Sequence, residues 1–530
     1  MKRPAWSSSA RAWAWIGGGV AIAIALAAFD PYLFTGGDNV RYYALAKALA
    51  TGHGYVDLIT PGAPVETVYP PGFALLLVPF YWLFGGAYAG LKVESLVAGA
   101  VALWALWRLA RRDEAVPAWA AAAAVWLFGL YPVFRIYTHW VLSDMSYVAV
   151  TLVALAAFAR AREDDGDRPW GWWLAASLLA VLAFYVRTAG VALLGAAGLV
   201  ALIARHWRRA GVLTALVLVF VLPWFWWSSR RPPETGGYLE QVSIENRLDP
   251  TSERIEPQGY VERARLNLDT YARTDFPQLF WPLRRLPAEG PPMRPPPIVR
   301  VFSLLIGGIL LAFGIVDAVR KRGPTVWDVY GLATLAILAV WAWTGDRFFL
   351  TIAPLLYLYI LIGADRVSSL LTRSTRLAKG AFVLIVAVMA IGSLREIPSQ
   401  WRFTRAWLDG DWLAGYQPFW QDYFEVADWI GRDAPDAIIL ARKPTFAWYF
   451  SGARPSFVYP FHGDPDATWR TIRAKGATHI IIEPMTRDFL ARALAPHIDE
   501  LEVVHAGPNR IALAVRIAPA PAPAPAAGAP

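Results

Sequence analysis

Long apolar blocks alternate with short polar interruptions along this chain, and the blocks are apolar all round rather than amphipathic. A helix needs roughly 20 such residues to cross the hydrocarbon of a bilayer. Blocks near that length lie at 13–29, 88–107, 116–134, 141–159, 170–185, 188–204, 211–228, 299–317, 326–343, 348–364 and 379–395, which predicts eleven spanning helices. A further apolar stretch, 73–86, is short and broken by Pro79. Charge decides where it goes. If it does not cross, Arg108/Arg111/Arg112, Arg160/Arg162/Arg168, Arg205/Arg208/Arg209, Arg320/Lys321/Arg322 and Arg366/Arg373/Arg376/Lys379 all share a side with Lys2 and Arg3. That is the pattern of basic cytoplasmic loops. The stretch 73–86 is therefore expected in the outer interface, with the amino terminus cytoplasmic and the carboxyl terminus outside. Arg230/Arg231 and Arg284/Arg285 depart from the pattern, but their loop is longer than about 60 residues, where the bias weakens. The basic start followed by an apolar run to Ala28 also reads as a signal peptide. Either way, the chain after Phe29 emerges on the far side.

Two long polar segments remain, both outside in this topology. Residues 230–298 are rich in Pro, Arg and Glu, with one helical stretch at Tyr260–Tyr271; they read as a lid over the membrane surface or as a spacer. Residues 396–518 open with Trp401, Trp407, Trp412 and Trp420. Helical periodicity then appears at 421–432, 466–475 and 488–496, and strand patterns at Ala437–Ala441, Ser456–Phe461, His479–Glu483, Leu501–Ala506 and Arg510–Ile517. That alternation implies a small α/β domain. The expected organisation is thus an α-helical polytopic membrane domain over 1–398 (with outer loops 30–87 and 230–298), an extracytoplasmic α/β domain over 399–518, and an extended Pro/Ala tail over 519–530.

Composition agrees. The 530 residues are 56% hydrophobic and 17% charged, too apolar for a soluble multidomain protein. The net charge of +9 then bears on topology and on membrane lipids, and no basic stripe interleaved with aromatics points to nucleic acid. The absence of cysteine excludes disulfides and thiol chemistry.

The most informative stretch is Gly36–Gly72, a polar loop between apolar segments. Asp38 sits soon after the first span, followed by Arg41, Tyr42 and Tyr43; on a helix starting near Asp38, positions 38, 41 and 42 share a face. A carboxylate there can take a proton from an attacking hydroxyl while an arginine steadies charge growing on phosphate oxygens. Asp38 is equally suited to capping the helix that follows.

Asp38 with Arg41-Tyr42, the helix ending Ala50-Thr51-Gly52, and Pro70-Pro71 opening an apolar helix that ends Leu83-Phe84-Gly85 resemble the C-type glycosyltransferases. Lipid A aminoarabinose transferases and protein O-mannosyltransferases are the nearest in layout, and the Arg187 and Gly345-Asp346-Arg347-Phe348 openings of later spans are similar too. The resemblance implies an inverting enzyme of a bacterial inner membrane. It would move a sugar from a polyprenyl-phosphate carrier to a lipid, protein or glycan acceptor outside, with Asp38 as base; since the leaving group is already an anionic phosphate steadied by arginine, no cofactor is strictly required. Two positions depart from it: Tyr69 stands where the aminoarabinose transferases carry a phosphate-binding lysine, and Asn39 replaces an acidic neighbour. Arg41, Arg187 and Arg347 are then the candidate phosphate cations, with Tyr42 and Tyr69 beside them; Arg187 and Arg347 also suit simple interfacial anchoring.

Asp144, after Ser143 at the opening of the fourth span, and Glu66 are secondary acidic candidates; Asp144 also reads as a helix cap. His53 and His139 belong to the same outer face, but seven scattered histidines show no metal-ligand spacing, which leaves a divalent metal the lesser reading. Acidic pairs at Asp409/Asp411, Asp464/Asp466 and Asp165/Asp167 read as turns. The rival functions are a lipid or polysaccharide flippase and a membrane-anchored binding protein. The first wants ionisable groups at mid-membrane, where these spans have few; the second leaves the Asp38 loop unexplained.

Overall fold

The computed structural model describes residues 8–163, 169–230, 238–245, 252–281, 295–459 and 464–519. Arg168, Arg284/Arg285, the Asp165/Asp167 pair, the end of the Ser456–Phe461 strand and nearly all of the Pro/Ala tail lie outside the described residues. The chain divides into two compact units, one of residues 1–42, 67–248 and 252–411, the other of residues 43–66, 249–251 and 412–530.

The first unit is helical and multi-pass. Among the described residues, seven helices are long and apolar enough to cross a membrane, and Ala118–Leu130, Pro169–Val186, Val191–Ile203 and Val326–Val340 are shorter apolar ones. Together they account for the eleven expected spans. Gly72–Leu83 is a separate 12-residue helix with Pro79 inside it, too short to span.

Small residues set the closest approaches. Gly314 and Gly363 press the helices Gly308–Arg322 and Ala353–Thr372 together so tightly that a Cβ on Gly314 would strike the Tyr359 carbonyl. Ala118–Leu130, with a run of five alanines, is buried along most of its length. At one end of the bundle the buried Arg322 joins Asp113 (2.5 Å) and Asp328 (2.6 Å), tying a loop to two helices. Two spans are interrupted within their length by a wider i→i+5 turn, at Val217–Val221 and Ser303–Gly307.

One segment differs from expectation. The last span does not stop near 395 but continues as one 33-residue helix, Arg376–Leu408, through Pro398. Its far end is held by the Arg135–Glu396 ion pair, by Tyr32 Oη donating to the Phe403 carbonyl (2.9 Å) and by Thr404 Oγ1 donating to the Phe29 carbonyl (2.7 Å). The helix expected in the first long polar segment is present as Pro257–Thr270 and is docked. Asn267 Nδ2 donates to the carbonyls of Ala339 (2.9 Å) and Trp341 (2.8 Å), satisfying groups that the end of Val326–Val340 would leave open.

The second unit carries a five-stranded sheet. Strands β1 (Ile439–Leu440), β2 (Ser456–Phe457), β3 (His479–Ile482), β4 (Leu501–Ala506) and β5 (Leu513–Ile517) are ordered β2-β1-β3-β5-β4. The β1 pairings are parallel and those of β5 antiparallel. Helices Pro418–Asp433, Pro465–Ala474 and Pro484–Leu494 match the periodicity, whereas Pro444–Phe450 was not expected because its aromatic residues give no helical repeat. The core holds Leu440, Phe457, Trp469, Ile480 and Val515. The polar segment 43–66 joins this unit through the Ser456 amide, which donates to the Ile59 carbonyl at 2.7 Å.

Candidate active site

Four breaks between helices bring the charged residues together. The helix Asn39–Ala50 begins immediately after Asp38, whose carbonyl accepts the Tyr42 amide at 3.0 Å. The helix Ser143–Glu163 presents Asp144 in its first turn. Pro169–Val186 stops at Arg187, which is extended (φ −156°) before the turn Thr188–Gly190. Arg347 lies in the single turn Asp346–Phe349, entered through Gly345 at φ 147°, a conformation that favours glycine.

The side chains of these four residues converge. Asp144 is 0% exposed and pairs with both Arg187 and Arg347, the latter at 3.1 Å. Arg347 also approaches Asp38 at 3.6 Å. Asp38 is the open member, with 34% of its side chain exposed against 21% for Arg347 and 13% for Arg187. Two carboxylates and two guanidiniums therefore form a chain, Asp38–Arg347–Asp144–Arg187, whose formal charges cancel. Both guanidiniums also lie over the Phe348 ring, at 5.3 Å and 5.2 Å, which limits their motion. A buried carboxylate costs several kcal/mol unless paired, so Asp144 is explained by its partners and they by it.

Tyrosines surround this chain of charges. Tyr69 Oη donates to Asp38 Oδ1 at 2.9 Å. Tyr42 is buried with its phenol 3.2 Å from Ser143 Oγ, and its ring meets Tyr69 and Phe73 edge-on. Burial, and next the Asp38 charge, push the Tyr42 phenol up from its usual range, so it stays protonated. Tyr137 donates to Asp346 at 3.0 Å and so steadies the turn that carries Arg347. Sequence reasoning missed Tyr137, which lies between the apolar blocks 116–134 and 141–159 with no motif around it.

Arg41 is half-buried in the first turn of the helix Asn39–Ala50, and Asp38 is paired with Arg347 instead. Glu66 belongs to the second unit, where it is buried and its amide bonds to the Tyr55 carbonyl at 3.1 Å. His139 is buried against the Ala25 carbonyl (2.8 Å), and burial followed by the charges of Lys92 and Arg135 lowers it to about 3. His53 bonds locally to Thr51 at 2.8 Å. Asp464 caps the helix Pro465–Ala474, and Asp409 ends Arg376–Leu408 before Gly410 at φ 96°, as turn residues do. Among the described residues no three His, Asp or Glu side chains form a metal-binding group.

Comparison with solved structures places the fold in a known architecture. ArnT from Cupriavidus metallidurans, solved bound to undecaprenyl phosphate, superposes with a TM-score of 0.56 at 17% identity over 95% of this chain and 98% of its own. The resemblance in fold to the C-type glycosyltransferases holds. An oligosaccharyltransferase from Archaeoglobus fulgidus gives a TM-score of 0.55 at 13% identity, covering 92% of this chain and 71% of that one. The AglB oligosaccharyltransferase of the same organism, with an inhibitory peptide and dolichol phosphate, gives 0.53 at 12% identity over 96% and 74%. The sequence profile of glycosyltransferase family 87 matches residues 67–242, a stretch that includes Tyr69, Asp144 and Arg187 but neither Asp38 nor Arg347. No curated protein matches by sequence.

Proposed function

We propose that this protein is an inverting membrane glycosyltransferase that moves a monosaccharide from a polyprenyl-phosphate donor to an acceptor hydroxyl on the extracytoplasmic side of the inner membrane. The observation that carries the reading is the open carboxylate of Asp38 beside Arg347, itself anchored with Arg187 on the buried Asp144. A similar fold solved with undecaprenyl phosphate supports the donor class, and the family 87 match supports the reaction class.

In this reading Arg347 and Arg187 face the donor phosphate. Asp38 takes the proton of the acceptor hydroxyl as its oxygen bonds to the anomeric carbon, and the carbon–oxygen bond to phosphate breaks with its electrons leaving on the lipid phosphate. The charges explain why four groups are needed. As the phosphate gains one negative charge Asp38 loses one, so the total charge of the site is constant through the step. Little reorganisation is then required in a site of low dielectric.

The test is release of polyprenyl phosphate from a panel of radiolabelled polyprenyl-phosphate sugars by the purified protein, with a membrane extract as acceptor. Asp38→Asn is expected to lose ~100-fold or more of the turnover of whichever donor the wild type uses. Full turnover by a folded Asp38→Asn would refute the base assignment.

A further inference from the structure

Asp38 occupies the position before the first helical residue, where an aspartate by default turns its carboxylate inward onto the open amides of the next residues. It does not do so here. Among the described residues neither the Val40 nor the Arg41 amide donates to it, and its one hydrogen-bond donor is the Tyr69 phenol at 2.9 Å. Arg347, at 3.6 Å, supplies charge at a distance too long for a hydrogen bond.

The phenol is delivered from a stiff mount. Tyr69 precedes Pro70 and Pro71, and Gly72 then lies so close to the Tyr185–Val186 backbone that a Cβ would come within 2.5 to 2.7 Å of it. The Tyr69 ring is braced edge-on by Tyr42 at 5.3 Å, and Tyr42 is in turn fixed to Ser143. Its position therefore does not depend on Asp38.

We propose that Tyr69 is a positioning residue that holds the Asp38 carboxylate out of the helix cap and turned toward the site. This rests on the reading of Asp38 as the base. With Oδ1 engaged by the phenol, Oδ2 is the oxygen that receives the acceptor proton; Tyr69 keeps its own proton throughout and need not touch the phosphate. Without the phenol, the carboxylate relaxes onto the helix amides, a displacement large enough to cost roughly 10- to 100-fold in rate.

The experiment compares wild type, Tyr69→Phe, Asp38→Asn and the double variant of the full-length protein in nanodiscs. It uses the radiolabelled donor that the wild type turns over and, separately, undecaprenyl phosphate as a binding probe. Tyr69→Phe is expected to lower kcat roughly 10- to 100-fold while donor KM and undecaprenyl phosphate Kd stay within about twofold. Its Tm should be unchanged or higher, since the freed carboxylate can cap. In the Asp38→Asn background the same change should add less than about twofold. A raised donor KM with kcat preserved would make the phenol a phosphate ligand and overturn the proposal. So would an equal loss in both backgrounds, which would mean Tyr69 acts independently of Asp38. Full activity of Tyr69→Phe with a dead Asp38→Asn would remove the positioning role and leave the base standing; full activity of Asp38→Asn would remove both.

Discussion

Replacing Asp144 by Asn removes the negative charge on which two guanidiniums are balanced and leaves the side-chain volume almost unchanged. The carboxylate is fully buried, and its contact with Arg347 is 3.1 Å. At an effective dielectric near 20, two unit charges at that separation attract by about 5 kcal/mol. Arg187 contributes a second pair of the same kind. Desolvation offsets most of this gross attraction, but removing one partner leaves the others buried and unpaired, which costs about 3–5 kcal/mol where it has been measured in buried pairs. Asn retains one acceptor oxygen, so the loss should lie near 3 kcal/mol. Arg187→Met should cost less, because Asp144 keeps Arg347, and the double variant should be more stable than the sum of the two losses by at least about 1 kcal/mol. Equilibrium unfolding of the purified protein in mixed micelles, followed by tryptophan fluorescence, measures all three. A cost below about 0.5 kcal/mol for Asp144→Asn, or strictly additive losses, would refute the picture of a carboxylate gripping two arginines.

Other predictions follow from single features. Gly314→Leu should force apart the helices Gly308–Arg322 and Ala353–Thr372 and cost upwards of about 1–3 kcal/mol, seen as a shortened thermal half-life in detergent. In the second unit, the buried Asp422 accepts from Asn509 N (2.9 Å), Asn509 Nδ2 (2.8 Å) and Ile511 N (2.7 Å). Asp422→Ala should therefore free the 507–512 turn to proteolytic nicking in the intact protein while leaving the helical unit resistant. Burial, and next the Arg516 charge, depress His479, so the folded state favours its neutral form. The sign follows: its contribution is full above its ordinary value of about 6.5 and is lost as pH falls through the lowered folded value. His479→Gln should accordingly lose less Tm than wild type between pH 7.5 and 5.5.

Legibility in the sequence varied with the range of the interaction. Apolar blocks report burial in lipid directly, so spans such as Tyr88–Ala110 and Ser143–Glu163 were visible within a few residues. Strands β3, β4 and β5 were visible for the same reason, as alternating or continuous apolar runs. The end of Arg376–Leu408 was not, because Arg395, Glu396 and Pro398 look like a terminus; contacts from Arg135 and Tyr32, more than 260 residues away in sequence, keep the helix going. Asp38, Asp144, Arg187 and Arg347 each stood out as polar groups at the ends of apolar runs. Their pairing could not, since it depends on which helix ends the bundle brings together, and the Tyr69–Asp38 bond joins residues 31 apart in the sequence.

The i→i+5 turns at Val217–Val221 and Ser303–Gly307 have a consequence for how the chain tolerates a change of length. Each such turn accommodates one residue more than an α-helical turn would, as a frozen insertion does. Deleting a single residue from an ordinary spanning helix rotates everything beyond it by about 100° and swaps its lipid-facing and protein-facing sides. Deleting one within either wide turn instead restores regular α-helix, keeps the flanking faces in phase and shortens the span by only about 1.5 Å. These two points are thus places where this otherwise register-bound bundle can lose a codon without losing its orientation to lipid.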